Sequence, residues 1–88
     1  MLNNKGMIDS MTQLEIVVQA LENLGGKANY ARIYEEFEQI SGVVLTSGKK
    51  AGIRKLIEDY SSDSDNFKGK RDIFYSVEGK GKGVWGLR

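Results

Sequence analysis

Three stretches of the chain repeat their apolar residues every three or four positions. In the first, Leu14, Val17, Val18, Leu21 and Leu24 line one face of a helix. Thr12-Gln13-Leu14-Glu15 fits a capping box, with Thr12 as N-cap and Glu15 reaching back to its amide. Gly25-Gly26 accept positive φ, so the pattern predicts a helix over about 13–24. In the second stretch, Tyr30, Ile33, Tyr34, Phe37 and Ile40 form the stripe of a helix over about 30–41, capped by Asn29 and stopped by Gly42. Glu35, Glu36 and Glu38 are expected to face solvent. Lys27-Ala28-Asn29, between the two, is either an extended link or a one-rung strand. In the third, Ile53, Leu56, Ile57 and Tyr60 fall at i, i+3, i+4 and i+7 behind a cap at Thr46-Ser47. That predicts a helix over about 47–60 with Gly48, Ala51, Arg54, Lys55 and Glu58 outward.

Beyond Tyr60 the period changes. Ser61-Ser62-Asp63-Ser64-Asp65-Asn66 is turn chemistry, and Phe67 after it is expected to fold back onto the core. Residues 73–77 (IFYSV) and 84–87 (VWGL) read as short strands around Gly79-Lys80-Gly81-Lys82-Gly83, whose alternate glycines suit a hairpin loop. Trp85 and Leu87 alternate onto the inner face of that hairpin, opposite Phe74 or Tyr75; the rival assignment leaves Trp85 exposed to stack on a ligand. Residues 1–10 are polar and aperiodic and read as a flexible leader, which leaves 11–88 as one domain. The element order is helix, short extended piece, helix, helix, hairpin. This is an α+β chain in the order of a winged helix, a three-helix helix-turn-helix core with a C-terminal β-hairpin wing. A three-helix bundle with a tail hairpin would give the same pattern.

Eighty-eight residues, 40% of them hydrophobic, suffice for one small core and leave no separate cofactor lobe. No run approaches the roughly 18 apolar residues of a membrane span, and the first ten residues lack the apolar centre of a signal peptide. The absence of cysteine removes disulfides and thiolate metal sites, in keeping with a cytoplasmic location. Without histidine the commonest general base and metal ligand is missing too, so neither enzymatic activity nor a cofactor is expected. The net charge of +1 conceals an asymmetry. Residues 1–45 carry three Lys/Arg against six Asp/Glu, a balance of −3, while residues 46–88 carry ten against six, a balance of +4. A basic helix followed by a basic hairpin is an electrostatic footprint suited to a nucleic-acid backbone.

The third helix departs from what folding alone would select. Gly48 and Gly52 each cost about 1 kcal/mol of helix propensity relative to Ala. Lys49 and Lys50 stand in the first turn, where the helix dipole disfavours cations. A helix that must come close to a groove, with its cations aimed at phosphates, has a use for both features. The plainer alternative is an ordinary amphipathic helix with a solvated face.

Several segments together carry a family likeness: Gly52-Ile53-Arg54, Ser61-Ser62-Asp63-Ser64, Phe67-Lys68-Gly69, Asp72-Ile73-Phe74-Tyr75-Ser76-Val77, and the run GKGKGVWGLR over 79–88. Residues 14–88 resemble the small winged helix-turn-helix domains attached to bacterial restriction endonucleases and related defence proteins, the tail more specifically than the first helix. The chain is more distantly similar to winged helices of a bacterial RNA polymerase subunit and of chromatin-associated proteins. The resemblance implies double-stranded DNA as partner, the third helix in the major groove with its N-terminal residues nearest the bases, and the wing at 79–83 on the backbone or minor groove. Carried over position by position, it nominates Lys49, Lys50, Arg54 and Lys55 on the helix, and Lys80 and Lys82 on the wing; Thr46 and Ser47 at the start of the helix could donate or accept at a base edge, and Ala51 offers a small, open surface beside them, which completes the set of candidate DNA contacts. Some domains of this kind read methylated bases, and Gly48, Ala51 and Gly52 would leave room for a methyl, which makes a methylated duplex part of the expectation. One departure matters: a chain of this length holds no nuclease domain, so it is expected to be a fragment or a stand-alone reader serving a nuclease domain or subunit.

Other chemistries fit less well. Asp65 or Asp72 followed by Glu78-Gly79-Lys80 has the spacing of Mg²⁺-dependent nucleases, but Lys80 would stand at a loop tip without rigid support. The glycine-lysine loop is no Walker motif, which opens a helix where here a strand follows. The main alternative is a protein-interaction winged helix that uses the acidic side of the first two helices, or an exposed aromatic face, and does not touch DNA. A net charge of +1 is modest for a DNA binder.

Overall fold

The computed structural model describes residues 11–69, 71–79 and 81–88; the proposed leader and the wing lysine Lys80 lie outside the described residues. The elements in chain order are α1 (Gln13–Asn23), β1 (Lys27–Asn29), α2 (Tyr30–Ser41), α3 (Ser47–Asp59), β2 (Phe74–Ser76) and β3 (Val84–Leu87). The strands form one antiparallel sheet in the order β1-β3-β2, so the architecture is α+β, three helices with a small sheet.

Local chemistry sets the helix limits. The Thr12 hydroxyl accepts from the Glu15 amide at 3.1 Å and Glu15 accepts from the Thr12 amide at 2.8 Å, closing the capping box of α1. Gly25 and Gly26, at φ of 89° and 98°, turn the chain out of α1, and the Gly26 amide satisfies the Leu21 carbonyl at 2.7 Å. Asn29 caps α2 through the Arg32 amide at 2.9 Å, and Gly42 ends it in the left-handed region. Of the two candidates at the start of α3, Thr46 is the cap, its hydroxyl accepting from the Lys49 amide at 3.2 Å, and Ser47 is the first helical residue.

The core joins Val17 and Leu21 of α1, Ile33 and Phe37 of α2, Ile53 and Ile57 of α3, and Leu45, Phe74 and Trp85. In α1 the buried face is rotated from the expected stripe: Ile16 and Ala20 are buried, while Leu14, Val18 and Leu24 are half-buried. α1 packs against α2 and also touches α3, β1 and β3, so it needs apolar surface over a wider arc than a single stripe. In the sheet, Phe74 opposes Leu87, Tyr75 opposes Gly86 and Ser76 opposes Trp85. Phe74 therefore faces inward with Trp85, which is 7% exposed and cannot be a free stacking platform. Tyr75 instead covers Gly86, where an added Cβ would stand 2.6 Å from the ring. Lys27-Ala28-Asn29 is a strand, with Ala28 opposite Trp85.

Two further expectations need correction. Phe67 is half-buried and outside the buried core, because the connector lies along the C-terminal end of α3: the Lys68 amide donates to the Asp59 carbonyl, and the Ile73 and Phe74 amides to that of Tyr60. Of the three glutamates on α2, only Glu35 is fully exposed. Glu38 accepts from the Leu45 amide at 2.7 Å and Glu36 from Asn23 at 3.0 Å, so two of them hold chain segments in place. Among the described residues no helix is long and apolar enough to cross a membrane.

Candidate functional site

Ile53 and Ile57 point α3 into the core and thereby fix what it shows outward. Ser47, Gly48, Lys49, Ala51, Gly52, Arg54 and Lys55 are exposed, together with the cap Thr46, and Lys50 is half-buried. Eight of the nine candidate residues are thus described, and seven of them lie in α3 or at its cap. Neither glycine is required by the fold. Both have ordinary helical φ; a Cβ at Gly52 would meet nothing within 4 Å, and one at Gly48 only the Thr46 hydroxyl at 4.0 Å.

The four cations of this face are held differently. Arg54 Nη1 donates to the Tyr34 hydroxyl at 3.0 Å, and Lys50 Nζ lies 5.5 Å from the centre of the same ring. Lys55 pairs with Asp59 at 2.9 Å, the i,i+4 geometry of an exposed helix pair. Lys49 has no ion pair among the described residues. The Tyr34 hydroxyl favours the charged guanidinium and raises the Arg54 pKa above its ordinary value. Toward its C-terminus the face changes sign. Ala51, Arg54, Lys55, Glu58 and Asp59 of α3 line a groove of about 330 Å³ together with Asn66 and Lys68, and Asn66 donates to Glu58 at 2.6 Å.

The hairpin loop turns on Gly79, Gly81 and Gly83 at φ of 98°, 82° and 75°. Lys82, between the last two, is exposed. At the loop's base the Gly83 backbone lies against Tyr30, whose ring an added Cβ would meet at 3.7 Å. Tyr30 in turn stacks on Tyr34, with centroids 5.9 Å apart and planes 13° from parallel. A continuous path of contacts, Gly83 to Tyr30 to Tyr34 to Lys50 and Arg54, therefore joins the hairpin to the cationic half of α3. Burial pushes the Tyr30 hydroxyl up to about 12; Glu58 adds to the rise, while the Trp85 indole N–H facing it opposes it without closing a hydrogen bond.

Sequence reasoning placed Tyr30 and Tyr34 in the core stripe and missed this bridge. The available signal was tyrosine, rather than leucine or phenylalanine, at i and i+4, since a buried ring with a polar tip seeks a partner for its hydroxyl.

Of the nuclease-like carboxylates, Asp72 is engaged elsewhere. Asp72 accepts from the Ser62 amide and hydroxyl and from Arg88 Nε at 2.8 Å, and these contacts, those from Ser62 foremost, hold its carboxyl below the ordinary value. Asp63 accepts from the Ser76 amide at 2.9 Å and pairs with Arg88 at 3.2 Å, so this cluster ties the connector to β2 and to the residue that follows β3. Among the described residues no group of three or more acidic side chains is placed to hold a metal ion. Comparison with protein-family models, with curated proteins and with solved structures gives no significant match.

Proposed function

We propose that the chain is a winged-helix module that binds double-stranded DNA, with α3 in the major groove and the loop at 79–83 on the phosphate backbone. The observation that carries this reading is the pair of glycines in α3 that the fold does not need. A B-DNA major groove is about 12 Å wide and a helix with side chains about 10–12 Å across, so small residues on the leading face let the helix sit deeper. Gly48, Ala51 and Gly52 supply that face, and cations surround it.

The roles then divide by chemistry. Lys49 and Lys50 lie in the first turn, where phosphates would pass, Lys55 would reach a phosphate from the second half of the helix, and Lys82 does the same for the hairpin. Arg54 has the planar fork that reads guanine O6 and N7. Ser47 can donate or accept at a base edge, while Thr46, already accepting from the Lys49 amide, keeps its own O–H to donate. Glu58 and Asp59 would be repelled by phosphate, which favours entry of α3 by its N-terminal half. The open surface at positions 48, 51 and 52 would also accept a base methyl, so a modified duplex, as in a restriction system, is a natural variant of the ligand.

A protein-interaction role has one observation in its favour: Val43 and Val44, just ahead of α3, are 43% and 81% exposed. A gel-shift titration of mixed-sequence duplex, begun at low salt and repeated as salt rises, separates the two. Binding that weakens steeply and log-linearly with salt supports the DNA module. No retained duplex even at low salt supports a protein partner.

A further inference from the structure

We infer, building on the DNA-binding function proposed above, that Tyr34 is a positioning residue that sets the sequence preference of the module by aligning Arg54 and Lys50 before a duplex arrives. An exposed arginine normally spreads over many rotamers and must give up that freedom when it reads a base. Arg54 is exposed, yet its guanidinium is anchored by the Tyr34 hydroxyl at 3.0 Å, a contact reaching across from α2. One of five guanidinium N–H groups is used in this way, and a bidentate guanine contact needs only two of the remaining four. Because the hydroxyl accepts from Arg54, its own O–H stays available to a phosphate oxygen. The same ring seats Lys50 through its face, so one side chain from α2 directs two cations of α3.

The support behind Tyr34 makes it suited to this task. Its ring stacks on Tyr30, and Tyr30 is itself wedged against the Gly83 backbone and packed against the core. The anchor is thus fixed to the same framework that carries the hairpin, and the two DNA-facing elements share one reference point. The opposite role is also chemically coherent: a tyrosine that held Arg54 back would sharpen or strengthen binding when removed. The two roles predict opposite signs.

Tyr34→Phe tests this directly, since it removes the hydroxyl while keeping the ring, the Tyr30 stack, the seat for Lys50 and every charge. Wild type, Tyr34→Phe, Arg54→Ala and the double variant are each exposed to a library of randomised duplexes, and the bound fraction is sequenced. Salt titrations on the preferred duplex and melting curves accompany them. Tyr34→Phe is expected to lose about three- to tenfold of preference, the worth of one hydrogen bond, at the same base pair that Arg54→Ala flattens. Its salt slope and melting temperature should stay at wild-type values, and the double variant should be no worse than Arg54→Ala. Unchanged or sharpened preference in Tyr34→Phe overturns the inference while leaving DNA binding standing. Nitrogen NMR of the Arg54 guanidinium in the free protein gives an independent readout: rotation slowed in wild type and released in Tyr34→Phe is expected, and equal rotation in both would remove the anchor. Failure of wild type to retain any duplex at low salt defeats the DNA-binding function itself, and the positioning role falls with it.

Discussion

Helices α1 and α3 both begin on a threonine cap and both drive aliphatic residues into the shared core, but their outward faces follow different rules. α1 completes its capping box with Glu15, an acidic residue in the first turn where the helix dipole favours it. It contains no glycine, and Gln19 and Asn23 on its surface bond to each other at 2.9 Å. α3 has only half of the cap, no acidic residue in its first turn, two lysines there instead, and two glycines within it. Local rules are obeyed in α1 and broken in α3, the helix proposed to meet DNA.

The largest expected effect removes the common ground of the two helices. Trp85, at 7% exposure, closes the core that both α1 and α3 pack into. Trp85→Ala should cost about 3–5 kcal/mol, enough to unfold a domain this small. Denaturant unfolding checks it, and an unchanged midpoint would refute the core role. Gly86→Ala should follow at about 1–3 kcal/mol. Its Cβ would stand 2.6 Å from the Tyr75 ring, so the ring must move off the central strand.

Arg54→Ala should leave stability nearly unchanged, since the side chain is exposed, and cost about 1–3 kcal/mol of binding to the preferred duplex with relaxed preference at one base pair. Lys82→Ala should weaken all duplexes alike and lower the salt slope by about 1. A Lys82 variant that changes sequence preference while Arg54→Ala does not would reverse the assigned roles. Any comparable loss of binding from an α1 surface change, such as Gln19→Ala, would break the contrast between the helices.

What could be read from the sequence was what depends on near neighbours. Thr12, Asn29 and Thr46 cap amides three residues ahead, and Gly42 ends its helix by its own backbone freedom, so the helix limits were visible. Alternation likewise put Trp85 inward. Hidden from it were contacts between residues far apart in sequence. Ser62 meets Arg88 across 26 positions, Asp63 meets the Ser76 amide across 13, and Tyr34 meets Arg54 across 20. Helical spacing placed Arg54 and Lys55 outward and Lys49 and Lys50 in the first turn, but only the approach of Tyr34 from α2 decides which of them are anchored. The burial of Ser61 was equally invisible, because a serine in a polar run gives no apolar signal.

The smallest predicted effect is the most direct test of the contrast. Gly52→Ala keeps a helical backbone and adds a methyl where nothing lies within 4 Å, so it should stabilise the protein by about 1 kcal/mol through helix propensity and a less flexible unfolded chain. For a domain of this size that raises the melting temperature by about 4–8 °C. The sign is opposite to Gly86→Ala, although the chemical change is identical, because one glycine answers to its own fold and the other does not. If the face of α3 must approach a duplex closely, the same methyl should weaken DNA binding while strengthening the fold. Melting and gel-shift measurements on one preparation decide it. A gain in stability with unchanged affinity would show that Gly52 serves no partner, and a loss of stability would show that the outer face of α3 is not open at this position.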